Sequence, residues 1–196
     1  MSELDAILAD IRREDDPNRK NLRVAEVVSR CFREIGCTPV VVGGSAVEFY
    51  SDGRYVSGDV DLCFDGPRLP TPREREEIMA RLGKPLGVRR CEVAGVLVDL
   101  LGRLETTART AFQKIGELQL IQIEDLIAER LLVATMPARD ETRLEVARVL
   151  IVLVANELIA ADREELLRVA DSPDYRVGTE LRALLAEVDG KDGADS

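Results

Sequence analysis

The stretch that most constrains this chain runs Val40-Val41-Val42-Gly43-Gly44-Ser45-Ala46-Val47, with Asp59-Val60-Asp61-Leu62-Cys63-Phe64 a short way on. Four apolar, mostly β-branched residues ending at Val42 read as a buried strand. Gly43 and Gly44 let the backbone turn tightly and approach a ligand with no Cβ in the way. Ser45 is placed to cap the short helix that follows, and a capped helix start presents free N–H groups to a phosphate. If Val60 to Phe64 is a strand, its period of two puts Asp59 and Asp61 on one face and Val60, Leu62 and Phe64 on the core face. Two carboxylates on one strand face repel unless a cation sits between them, and such hard oxygen ligands suit magnesium.

Composition removes most competing chemistries. The 196-residue chain contains no histidine, which excludes Ser-His and Cys-His catalysis and histidine metal sites. Cys31, Cys37, Cys63 and Cys91 show no C-x-x-C spacing and read as reduced packing thiols. No apolar run approaches the ~20 residues that span a bilayer. The start, Met1-Ser2-Glu3-Leu4-Asp5, lacks the features of a secretory signal, so a cytoplasmic protein without membrane association is expected. A formal charge of -10 argues against a nucleic-acid-coating protein. From Cys37 to Glu105, however, nine Lys/Arg face eleven Asp/Glu, so most of the excess lies in the flanks. Two divalent cations would reverse the local sign, and a triphosphate is therefore compatible with the charge.

Leu4, Ile7, Leu8 and Ile11 predict an amphipathic helix over residues 3–13, whose apolar stripe also offers a surface for self-association. Leu22, Ala25, Val28, Phe32 and Ile35 predict a second, ending at Gly36. Arg12, Arg13, Arg19, Lys20 and Arg23 cluster nearby, as an RNA-facing patch or a solvated helix face. Arg54 is placed to grip a phosphate, or to pair with Asp52 or Glu48. Ser57 is placed to donate to a phosphate or to cap the strand entrance. Thr71-Pro72-Arg73-Glu74 is a capping box with proline in the first turn, opening a helix to Leu82. Residues 88–93 and 96–101 read as strands around Ala94-Gly95. The second holds Asp99 among apolar neighbours, where a lone carboxylate is costly unless paired or metal-bound. Residues 106–116 look helical, 118–123 extended, and 124–133, 142–158, 162–170 and 177–188 helical.

A Gly-Gly-Ser turn one helix ahead of an Asp-x-Asp strand, with a further Asp on a later strand, resembles the nucleotidyltransferase superfamily with a polymerase-β-like catalytic domain. Arg54 and Ser57 look most like its small bacterial and archaeal branch, which includes nucleotidyltransferase toxins of abortive-infection systems. The resemblance is close from Val40 to Leu101 and loose elsewhere. It implies an α/β (α+β) fold: a small mixed β-sheet with flanking helices, then a C-terminal helical lobe. The corresponding division is N-terminal helices packing on the core at 1–36, the nucleotidyltransferase-like core at 37–123, the helical lobe at 124–189 and a disordered tail at 190–196.

The resemblance further implies magnesium (two ions, with manganese as the alternative) held by Asp59, Asp61 and Asp99, the last also a candidate base. Gly43, Gly44, Ser45, Arg54, Ser57 and Arg130 would bind the nucleoside triphosphate, and the acceptor would be an RNA or protein hydroxyl, or that of an antibiotic. A toxin's antitoxin partner belongs to the same expectation. These relatives usually carry lysine where this chain has Arg130, and the acidic residues farther along align poorly, Glu145 being the nearest. The alternatives are a catalytically lapsed nucleotide-binding or protein-interaction module of the same fold, and a structural dimer built through the first helix.

Overall fold

The computed structural model describes residues 2–192 and divides into two compact units, Met1–Glu105 with Gln113–Leu120, and Thr106–Phe112 with Ile121–Ser196. The first unit opens with helices α1 (Glu3–Arg12) and α2 (Pro17–Glu34). Ser2 and Asp5 cap α1 reciprocally, and Asp16 caps α2 with Pro17 in its first turn. Both starts satisfy N–H groups that a helix leaves without internal partners. Strand β1 (Thr38–Val42), helix α3 (Gly43–Tyr50), strand β2 (Asp59–Asp65) and helix α4 (Pro72–Leu82) follow. Thr71 and Glu74 form the expected box at α4. A two-residue strand β3 (Lys84–Pro85), then β4 (Arg90–Val93), β5 (Val96–Arg103), β6 (Gln113–Ile115) and β7 (Leu118–Leu120) complete one mixed sheet ordered β3-β4-β5-β2-β1-β7-β6.

The core lies on one face of that sheet. Burial alternates along β2, with Val60, Leu62 and Phe64 almost fully enclosed and the aspartates between them half-exposed. Phe64 meets Phe32 of α2 edge-to-face at 5.0 Å, so α2 covers the apolar face and Asp59 and Asp61 project from the other. The cysteines are all free, and burial pushes the Cys91 thiol up to about 11, as packing thiols require.

Two expectations for the N-terminal helices change. Leu8 and Ile11 of α1 are buried and α1 packs on α2, so half of the stripe offered for self-association is covered within the chain, while Leu4 and Ile7 remain part-exposed. Arg13 and Arg23 pair with Asp10 at 3.3 and 2.5 Å, and Arg19 approaches Glu14 at 3.7 Å. Arg13, Arg19 and Arg23 thus form a solvated, ion-paired face, the second of the two readings of this cluster.

The second unit contains α5 (Ile123–Thr135), α6 (Glu141–Ala155), α7 (Arg163–Ala170) and α8 (Gly178–Asp192). Residues 106–112 are not the helix that their sequence suggests, and 113–115 are strand β6. The reason is Asp125, fully buried on α5. Its carboxylate accepts from Thr107 N and Ala108 N, both at 2.9 Å, from the Thr106 hydroxyl, and from Tyr175 Oη at 3.0 Å. Backbone donors that would begin a helix are thus engaged by a side chain 17 or more residues away. Glu124 beside it accepts from Thr110 Oγ1 at 2.8 Å and from Asp162 N at 2.9 Å, tying in the start of α7. At the other end α8 runs through Gly190 to Asp192, past the expected stop, and the remainder of the expected tail (193–196) lies outside the described residues. Replacing Asp125 by Ala strands several buried donors at once, and thermal unfolding should register a loss of about 2–4 kcal/mol.

Candidate active site

The sheet register assembles the site before any side chain is considered. Parallel pairing of β2 with β5 sets Asp61 opposite Asp99, and the antiparallel β4–β5 hairpin sets Arg90 opposite Asp99. Directly paired residues share a face, so Asp61, Asp99 and Arg90 form one row across three strands. Asp59 stands two residues before Asp61 on the same face. Carboxylate oxygens of Asp59, Asp61 and Asp99 all lie within 4.8 Å of one another.

The turn before α3 fits against this cluster. Gly43 adopts φ +62°, a left-handed conformation costly to other residues, and a Cβ there would lie 2.5 Å from Asp61 Oδ2. A Cβ on Gly44 would lie 2.8 Å from Ser57 Oγ. Both glycines therefore leave space that side chains would fill, immediately beside the acidic groups. Ser45 departs from its expected role. Val42 occupies the N-cap position, without a side-chain capping bond, and Ser45 is one turn inside the helix and fully buried. Its hydroxyl donates to Val42 O at 2.9 Å and accepts from Asp61 N at 3.0 Å. Ser45 thus pins the backbone of Asp61 to the glycine turn, and its only hydroxyl hydrogen is committed.

Ser57 is equally occupied. Its hydroxyl donates to Asp59 Oδ1 at 3.3 Å, its N–H donates to Glu48 Oε2 at 2.9 Å, and its carbonyl accepts from Asn21 Nδ2 at 3.2 Å. Glu48 is the hub of this loop. Fully buried on α3, it also accepts from Asn18 Nδ2 at 3.2 Å and from Asn21 Nδ2 at 2.9 Å. Burial raises the pKa of its carboxyl, and the amide donors only partly offset that. Neither Glu48 nor Asn21 is evident from the sequence as a site residue. Arg54 is exposed and forms no ion pair among the described residues, because Glu48, its candidate partner, is held by the asparagines.

Arg90 is the basic group that the structure brings to the acidic cluster. Its Nε donates to Asp99 Oδ1 at 2.7 Å, Nη2 donates to Asp99 Oδ2, and Nη2 lies 3.9 Å from Asp59 Oδ2. This bidentate pairing answers the cost of burying a carboxylate in an apolar strand. Arg130, on α5, belongs to the second unit and pairs with its neighbour Glu129, its Nε buried without a hydrogen-bond partner.

The donor set fits a divalent cation: three hard carboxylates converge, and the glycine turn keeps side-chain bulk away from Asp61.

No protein-family model matches the chain, and no curated protein matches its sequence. Solved structures do match in fold. The antibiotic-resistance factor ANT(2'')-Ia in solution aligns with a TM-score of 0.53 and 14% identity, over 90% of this chain and 99% of that one. An antigenic nucleotidyltransferase-like protein from Paracoccidioides brasiliensis aligns with a TM-score of 0.50 and 16% identity, over 83% of this chain and 91% of that one. The mixed sheet and its flanking helices therefore form a nucleotidyltransferase-like fold, as the spacing of the glycine turn and the aspartates implied.

Two expectations follow from the local geometry. Gly43→Ala must move either the turn or Asp61, and should cost at least ~1–2 kcal/mol in a thermal melt from the left-handed backbone alone. Glu48 has a folded pKa above its unfolded value of 4.5, so its contribution is fully present below pH 4.5 and is lost as pH rises through the raised value. Unfolding titrations across that window should show the wild type losing stability relative to Glu48→Gln, which cannot ionise.

Proposed function

We propose that the protein is a divalent-metal-dependent nucleotidyltransferase, moving a nucleoside monophosphate from a triphosphate to an acceptor hydroxyl. The observation that carries this reading is the convergence of Asp59, Asp61 and Asp99 beside a glycine turn in a nucleotidyltransferase-like fold. The three aspartates would hold magnesium or manganese, which when bound supplies charge neutralisation at the phosphoryl group and a lowered acceptor pKa. Backbone N–H groups at Gly43, Gly44 and Ser45 would receive the terminal phosphates, since the Ser45 hydroxyl is already engaged.

Asp99 would accept the proton of the acceptor hydroxyl. The acceptor oxygen then bonds to the α-phosphorus, the bond from that phosphorus to the β-bridging oxygen breaks, and pyrophosphate leaves with the electron pair. Ser57 and Glu48 act as positioning residues that keep Asp59 aimed into the cluster. Arg54, exposed and without an ion pair among the described residues, would add a charge-assisted phosphate contact, and Arg130 is the further basic residue that the resemblance gives for that role. An RNA end or a protein hydroxyl is the acceptor class that the resemblance favours, in the setting of a toxin with its antitoxin. An antibiotic hydroxyl belongs in the same assay because ANT(2'')-Ia is a resistance factor.

The test is incubation with magnesium, each labelled triphosphate and cellular RNA, protein or antibiotic, following label transfer and pyrophosphate. Transfer should vanish in Asp59→Asn and Asp61→Asn, and calorimetry should show that metal-supported triphosphate binding is lost while both variants fold. Arg130→Ala should lower turnover roughly a hundredfold if it supplies a phosphate contact of ~2–3 kcal/mol. Triphosphate binding with no transfer to any acceptor would instead identify a catalytically lapsed binding module.

A further inference from the structure

We propose that Arg90 is the resident counter-ion of the acidic cluster and is exchanged for a divalent cation when the site loads. The inference rests on the metal-dependent reading above and concerns what this chain must do before a cation can reach Asp99.

The guanidinium already serves as a positive partner within the cluster. It forks over both oxygens of Asp99 and reaches within 3.9 Å of Asp59, so it touches two of the three candidate ligands. No other Lys or Arg pairs with Asp59 or Asp99 among the described residues. A planar fork on a carboxylate uses lone pairs that an incoming ion needs, and its positive charge opposes the ion at close range. Asp99 therefore cannot keep its bidentate partner and serve a divalent cation equally well.

Exposure is arranged for exchange. The Asp99 side chain is 13% exposed and the Arg90 side chain 48%. The carboxylate is enclosed and held by a strand paired on both sides, whereas the guanidinium already borders water. Leaving Asp99 restores its hydration without opening the core. The β4–β5 hairpin fixes the Arg90 backbone opposite Asp99, so the displaced side chain remains tethered and can return when the cation departs. The carboxylates thus keep a positive partner in both states, and the cation must compete with a permanent intramolecular charge.

The experiment measures manganese binding to the full chain by electron paramagnetic resonance, without nucleotide, for wild type, Arg90→Gln and Arg90→Lys. Removing the competitor should tighten binding about tenfold or more in Arg90→Gln. Lysine cannot fork and should give an intermediate value. A second measurement needs no substitution in the protein observed. The Arg90 Nε–H resonance, assigned by its absence from Arg90→Lys, should move on titration with magnesium and stay put in sodium chloride of equal ionic strength. Unchanged or weaker manganese binding in a folded Arg90→Gln, still dependent on Asp61, would overturn the exchange and leave the metal site standing. Should Arg90→Gln fail to fold, a wild-type resonance unmoved at saturating magnesium overturns it equally. Manganese binding to none of the three forms would overturn the metal reading and this inference together.

Discussion

Mutual repulsion among three carboxylates is the constraint around which the first unit is built. With oxygens within 4.8 Å of one another, the negative charges oppose folding, and water at the part-exposed Asp59 screens some of that repulsion. Side chains free to choose their rotamers would spread apart. Here they cannot, because the backbone decides their positions. Ser45 clamps the Asp61 N–H to the glycine turn, Ser57 directs Asp59, and strand pairing fixes Asp99. Arg90 offsets part of the charge through the strongest pairing geometry available to it. The remainder is carried by the opposite face, where Val60, Leu62 and Phe64 pack beneath α2. Each such side chain contributes about 1.5–3 kcal/mol when fully buried. The two faces of one strand thus carry opposing terms, and the sheet makes them inseparable.

A second link joins that core to the site. Asn21 of α2 and Glu48 of α3 are both buried, and together they hold the Ser57 peptide by its N–H and its carbonyl. A loop of this length would ordinarily sample many conformations before entering the strand, and ordering it costs ~1–2 kcal/mol per residue. Anchoring both backbone polar groups of Ser57, one in each of the two peptide planes that meet at its Cα, removes that freedom at the residue that aims Asp59. The cost is a buried carboxylate whose raised pKa reports incomplete compensation for lost hydration. Positioning of the cluster is obtained here at the expense of stability.

Much of this was legible in the sequence because it is written in local periods. The alternation of β2, the glycine turn, the Thr71–Glu74 box and the apolar strand holding Asp99 each depend on residues a few positions apart. Arg90 was legible too, although it was missed. A hairpin turning on Ala94-Gly95 pairs Val93 with Val96, and counting outward places Arg90 opposite Asp99. Glu48 and Asp125 were not accessible in this way. Asn21 lies 27 residues from Glu48, and Asp125 intercepts donors 17 and 18 residues upstream, so no window of local pattern contains either partner. The helix expected over residues 106–116 failed for that reason: its propensity was overruled by a distant carboxylate. Ser45 was misplaced by one turn because a capping serine and a serine bonding back to the preceding carbonyl look alike in a short motif.

Strand spacing explains how so sparse a set of residues suffices. Adjacent strands lie ~4.8 Å apart, so side chains that lean toward each other from paired positions bring their oxygens within reach of one cation. A parallel pair with aspartates in register therefore builds two ligands without help from loops, and a third at the i−2 position needs only a slight lean, which the Ser57 hydroxyl directs. The same spacing brings the residue on the next strand within reach. In this chain that residue is Arg90, so the ladder that creates the carboxylate pair also delivers its counter-ion. Removing Arg90 from the row would leave Asp99 enclosed and without its ion-pair partner. Placing it farther away would leave Asp59 and Asp99 without an ion-pair partner among the described residues. The register of β4 against β5 thus sets Arg90 beside Asp99, and the ladder that gathers the carboxylates also supplies the charge that offsets them.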